Sequence, residues 1–187
     1  MTFVKSYAIS LEDYFILREA KDEVMEYIDG IVYISPSPSE EHEKVSNILE
    51  MKFRTFLEGK DCEVLHTSYD IELKNHRVKG SKIIIPDISI ICDKEGLINN
   101  RYIGVPSLIV EILSPLNQSH DFNTKLNIYM KYGVKEYWIV NPMFEAITVY
   151  SLNSEELYEQ YDMKIEKGEL KSKLLDGFII DLEGIFK

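Results

Sequence analysis

Residues 83–92, IIIPDISIIC, and residues 107–114, SLIVEILS, decide how this chain is built. Both runs are apolar on both faces, as a central strand covered by helices on each side must be. Each also carries one acid in surroundings that disfavour it. Asp87 stands among Ile83, Ile84, Ile85, Ile88, Ile90 and Ile91, and Glu111 among Ile109, Val110, Ile112 and Leu113. An ionised carboxylate there is costly to desolvate unless it is paired, hydrogen-bonded or bound to a metal. Two such acids on strands expected to be neighbours need a common explanation. A hard divalent cation supplies one, since magnesium is held by one or two carboxylates, waters and substrate phosphate oxygens. A structural ion pair, or acids at exposed strand ends, is the competing explanation. Pro86 donates no ladder hydrogen bond and predicts a bulge or strand opening beside Asp87, a distortion common where a side chain is aimed at a site.

Working outward toward the N-terminus, Ser10 opens a helix in SLEDYFILREA, with Asp13 in its first turn. In EVMEYIDGIVYI, Asp29-Gly30 between two apolar runs predicts a hairpin, and alternation puts Glu26 on the face of Val24 and Ile28. After SPSPS, a long amphipathic helix runs through EEHEKVSNILEMKFRTFLEG. Val45, Ile48, Leu49, Phe53, Phe56 and Leu57 form its buried stripe, His42 lies one turn earlier, and Gly59 ends it. Residues 62–73 read as extended, followed by a loop crowded with Lys74, His76, Arg77, Lys79 and Lys82. Toward the C-terminus, TKLNIYMKYG is a helix ended by Gly133. EYWIVNP and AITVYSL form a hairpin turned by Asn141-Pro142, and a charged, strand-like stretch leads to GFIIDLEGIF. No internal repeat or linker interrupts this order.

With 187 residues, 45% of them hydrophobic and 28% charged, the composition is that of an ordinary globular protein, and one domain over 1–187 is the expectation. No run approaches the ~20 apolar residues of a membrane span, and residues 1–10 lack signal-peptide regions, so a cytoplasmic location is expected. Cys62 and Cys92 fall in apolar runs without a CxxC or Cys/His cluster and read as reduced packing residues. The formal net charge of −11 opposes indiscriminate attraction to nucleic acid, which normally rests on surplus Lys and Arg. The basic loop could form a local positive surface, or be a solvated connection between strands.

Lys125 follows Glu111 by fourteen residues, at the start of the next helix. An ammonium there could steady an attacking water, offset charge developing on a phosphate and relieve repulsion among the acids. Its plainer reading is a surface helical pair with Asp121 at i−4. Glu26 is either a third acid of the site or a salt-bridged strand residue. His42 is either an accessory of the site or a packed histidine, and Asp121 is the other candidate accessory.

Taken in order, MEYIDGIVY, SPSPSEEHEKV, IIIPDISII, GVPSLIVEILSP, the spaced Asp121 and Lys125, GVKEYWIVNP and GFIIDLEGIF resemble the Uma-two family of restriction endonuclease-like proteins. That family belongs to the PD-(D/E)XK nuclease superfamily. The resemblance covers nearly the whole chain and implies a restriction-endonuclease-like α/β fold: a mixed central β-sheet flanked by α-helices, with additional β-hairpins. By the same resemblance, Asp87 matches the superfamily's metal-binding aspartate and Glu111 its second acidic ligand. Glu26 matches the glutamate before the hairpin turn, and His42 the histidine opening the long helix. One departure is Leu113, which stands two residues after Glu111 where the wider superfamily has its lysine. The family supplies that lysine from the following helix, here Lys125.

These readings lead to a Mg2+-dependent (or Mn2+-dependent) endonuclease acting on DNA, with Asp87 and Glu111 on the metal and Lys125 and Glu26 completing the catalytic set. A nuclease-fold module that binds nucleic acid or protein without catalysis, and a metal hydrolase acting on another phosphate ester, are the rivals. A homodimer is also expected, because cutting both strands usually needs two sites and the hairpin around Tyr137 and Trp138 offers apolar surface.

Overall fold

Local chemistry sets the first elements of the computed structural model, which describes residues 6–21, 23–35, 37–67, 69–114 and 124–187. After β1 (Ser6–Ala8), the Ser10 side chain accepts the Asp13 N–H and caps α1 (Leu11–Glu19). The hairpin of β2 (Met25–Ile28) and β3 (Ile31–Ile34) turns through Asp29 at φ +50° and Gly30 at φ +95°. Two successive positive φ values are what a tight two-residue hairpin loop requires. Ser39 caps α2 (Glu40–Leu57) through the His42 N–H.

The extended segments that follow divide between two sheets. β4 (Glu63–His66) and β7 (Ile88–Ile91) enter one sheet, while β5 (Asp70–Leu73) and β6 (Lys82–Ile84) enter the other. β8 (Leu97–Ile98), β9 (Arg101–Gly104) and β10 (Leu108–Ile112) come next. α3 (Leu126–Tyr132) is ended by Gly133 in the left-handed region. It leads to β11 (Glu136–Asn141), β12 (Ala146–Leu152), β13 (Tyr158–Ile165), β14 (Glu169–Lys171), β15 (Ile179–Asp181) and the short α4 (Glu183–Phe186).

The expected mixed α/β architecture is therefore present, built on two large sheets. One has the order β1-β3-β2-β6-β5-β9-β8 and the other β13-β12-β11-β10-β7-β4, with a small β14-β15 pair beside them. Both large sheets are mixed, because β5 runs parallel to β9 and β10 parallel to β11. Helix α2 buries Val45, Leu49, Phe53 and Leu57, a strict i, i+4 stripe, against Ile88, Ile90, Val110 and Trp138 of the six-stranded sheet. The opposite face of that sheet, with Ile109, Leu113 and Ile139, meets α3 and the seven-stranded sheet in a shared core holding Ile28, Ile71, Leu73 and Ile84. Full burial of side chains of this size stabilises by about 1.5–3 kcal/mol each before the entropy of ordering is subtracted.

Three sequence expectations are corrected. Cys62 and Cys92 are not reduced packing residues but form a disulfide. The antiparallel register that sets Glu63 opposite Ile91 makes these two the next facing pair. Tyr137 and Trp138 offer no apolar surface for association, since both are fully buried. β11 lies inside its sheet, between β10 and β12, with a core on each face. Lys82 is not part of a basic loop: it lies in β6, buried, with its Nζ 2.9 Å from both carboxylate oxygens of Asp29. The remaining basic residues of that segment sit at the end of β6 away from Asp87. Among the described residues, no helix is long and apolar enough to cross a membrane.

Candidate active site

Pro86 breaks the chain between β6 and β7, and because those strands belong to different sheets, Asp87 stands at the seam between them. β7 pairs with β10 so that Ile88 faces Val110, a register that brings Asp87 level with Glu111. Asp87 Oδ2 accepts the Ile112 N–H at 2.7 Å and lies 3.2 Å from His42 Nε2. Burial opposes a charge on His42, but the hydrogen bond and the charge of Asp87 outweigh it and hold the imidazole above its ordinary pKa of 6.5.

Glu111 points to the α3 side of β10, the same side as Leu113 and Ile109. Lys125, at the cap of α3, is buried and places Nζ 3.0 Å from Glu111 Oε1 and 3.0 Å from Glu26 Oε1. Glu26 Oε1 also accepts the Ile85 N–H at 2.9 Å. One turn beyond Lys125, the fully buried Tyr129 donates its hydroxyl to Glu111 Oε1 at 2.6 Å. Burial first, and then the charges of Glu111 and Glu26, raise the Tyr129 pKa well above 10.0, so the phenol keeps its proton. Among the described residues, the desolvation problem posed by these acids is met by the Lys125 ammonium, the Tyr129 phenol, the His42 imidazole and backbone N–H groups.

A cavity of about 150 Å³ brings together Asp87, Glu111, Lys125 and His42, with Ser35, Ser37, Thr67 and Ser114 around them. Among the described residues, no three Asp, Glu, His or Cys side chains form a ready-made metal cage. Among the described residues, Asp87 and Glu111 are the two carboxylates lining the cavity that could hold a cation. Such a small set of oxygen donors suits magnesium, which keeps several of its waters. The buried Ser114 Oγ, with no hydrogen-bond partner among the described residues, is a further oxygen in the same cavity.

The fold therefore assembles Asp87, Glu111, Lys125, Glu26 and His42 from separate segments into one connected cluster. Asp121 lies outside the described residues. Leu113 is buried in the core that also holds Ile128 and Tyr129, and the ammonium reaches Glu111 from the cap of α3 and not from the strand. Tyr129 was not expected from sequence, although its i, i+4 spacing from Lys125 places both on one helical face.

Comparison with known proteins agrees with this architecture. Residues 11–183 match the Uma2 family, described as "Putative restriction endonuclease". The uncharacterized protein slr1290 of Synechocystis sp. is 29% identical over 148 residues, 79% of this chain and 76% of that protein. A crystal structure of "a putative nuclease belonging to DUF820" from Anabaena variabilis ATCC 29413 superposes with a TM-score of 0.74, covering 95% of this chain and 97% of the other. At 17% identity, that likeness is one of fold. Family and fold together point to a restriction-endonuclease-like nuclease. The chain belongs to the Uma2 family.

Proposed function

We propose that this chain, as one domain over residues 1–187, is a metal-dependent endonuclease that hydrolyses phosphodiester bonds in DNA. The observation that carries the reading is the meeting of Asp87, Glu111 and Lys125 in one cavity at the seam between the sheets. Asp87 and Glu111 would hold Mg2+ or Mn2+. When bound, the ion supplies Lewis acidity toward a phosphate oxygen and lowers the pKa of a water. Lys125 offsets the charge of the acids and would orient the attacking water. Glu26 keeps Lys125 in place, and His42 keeps Asp87 in place. In the reaction, the bond from water oxygen to phosphorus forms as the bond from phosphorus to the leaving ester oxygen breaks; the attacking water gives up a proton to solvent and the leaving oxygen takes one up from solvent, so the protons balance.

A second reading, a nuclease-fold module that binds without cutting, is favoured by the engagement of Lys125 with two glutamates and by Leu113 at the strand position of the usual lysine. Supercoiled plasmid incubated with Mg2+ or Mn2+ separates the two. Nicking by the wild type, lost in both Asp87→Ala and Lys125→Ala, is the expected outcome. Folded wild type that leaves plasmid intact supports the binding module, and activity that survives Asp87→Ala overturns the mechanism. The ratio of linear to nicked product reports whether two sites act together on the duplex.

A further inference from the structure

Tyr129 belongs to no set of residues that the family resemblance singles out, yet it makes one of the shortest polar contacts in the cluster. Its hydroxyl lies 2.6 Å from Glu111 Oε1, the same oxygen that Lys125 approaches at 3.0 Å. Two donors from consecutive turns of α3 thus fix the rotation of one carboxylate. The ring is locked in turn: it is fully buried and meets the Tyr137 ring edge-on at a centroid distance of 5.0 Å. A phenol with a fixed ring has little freedom to aim its proton elsewhere, and a carboxylate held by two donors loses little further entropy when it takes up a cation.

We infer that Tyr129 is a positioning residue for the metal site, acting through Glu111 to hold that carboxylate in the orientation that accepts a divalent cation. This rests on the reading of Asp87 and Glu111 as metal ligands. Partners that orient a ligand from behind typically change metal affinity by about 10–100-fold when removed. A residue that merely packs leaves affinity unchanged once the protein is folded.

Tyr129→Phe deletes the hydroxyl and keeps the ring. Manganese titrated calorimetrically into the wild type and into this variant should show affinity falling at least tenfold, while near-ultraviolet circular dichroism stays the same. Plasmid nicking by the variant should need more metal to reach half its maximal rate and recover at saturating metal. In the Glu111→Gln background, Tyr129→Phe should add no further loss of affinity, because its route to the metal is gone. If Tyr129→Phe does not fold, 3-fluorotyrosine placed at position 129 keeps the ring and hydroxyl but makes the phenol a stronger donor, and it must shift manganese affinity. Manganese binding equal to wild type in Tyr129→Phe, or unchanged by fluorotyrosine, overturns the role of Tyr129 and leaves the nuclease reading standing. A wild type that binds no manganese overturns both.

Discussion

At the scale of single residues, the most consequential group is the buried Lys125 ammonium between Glu26 and Glu111. Removing one partner from a buried ionic cluster strands the others without a counter-charge, which costs about 3–5 kcal/mol. Lys125→Met, close in length and uncharged, should therefore lower thermal stability sharply by leaving two carboxylates to repel each other. A divalent cation would relieve that repulsion, so the melting temperature of the variant should rise more on addition of Mg2+ or Mn2+ than that of the wild type. Equal responses in a metal titration followed by calorimetry would show that the glutamates are beyond the reach of a cation. The acids at 87 and 111 were legible from sequence because their surroundings are so apolar. Tyr129 was not, because a tyrosine on an amphipathic helix looks the same whether its hydroxyl meets a carboxylate or water.

At the scale of elements, a further buried carboxylate anchors the C-terminal strands and lies outside the cluster around Asp87 and Glu111. Glu136, at the start of β11, is fully buried. It accepts from Trp138 Nε1 at 2.6 Å, Ser172 Oγ at 2.7 Å, and the backbone N–H groups of Lys173 and Leu174 at 2.8 and 2.7 Å. This binds the segment after β14 to the central sheet. Each buried donor left without its acceptor costs about 1–3 kcal/mol, so Glu136→Ala should destabilise by about 3 kcal/mol or more, read as a lower urea midpoint. An unchanged midpoint would mean that Leu170, Phe178 and Ile180 hold the β14-β15 pair by packing alone. Helices α1, α2 and α3 and both hairpins follow from caps, turn residues and periodicity that act over a few positions. The division of residues 62–73 and 82–91 between two sheets does not, because a strand's own sequence records how apolar its faces are but not which partner edge it joins.

At the scale of the whole molecule, a net charge of −11 works against a polyanionic substrate. Among the described residues, Lys125 is the one lysine or arginine lining the cavity, and it is already engaged by two glutamates. Duplex DNA in EDTA should therefore bind more weakly than the roughly 10⁻⁶ to 10⁻⁴ M typical of non-specific binding. Fluorescence anisotropy of a labelled duplex measures this directly. Tight binding in EDTA would reveal a cationic surface that the described residues do not bring to the cavity. The sequence by itself determined the mixed α/β class, the order of the main helices and hairpins, and the two acids that the apolar strands could not tolerate unpaired, since these depend on local periodicity and the cost of desolvating charge. Only the tertiary structure decided that Lys125 lies between Glu26 and Glu111, that Tyr129 donates to Glu111, that Cys62 joins Cys92 and that Tyr137 and Trp138 are interior. Each of these depends on sheet order and register, which bring residues distant in sequence within a few ångströms of one another.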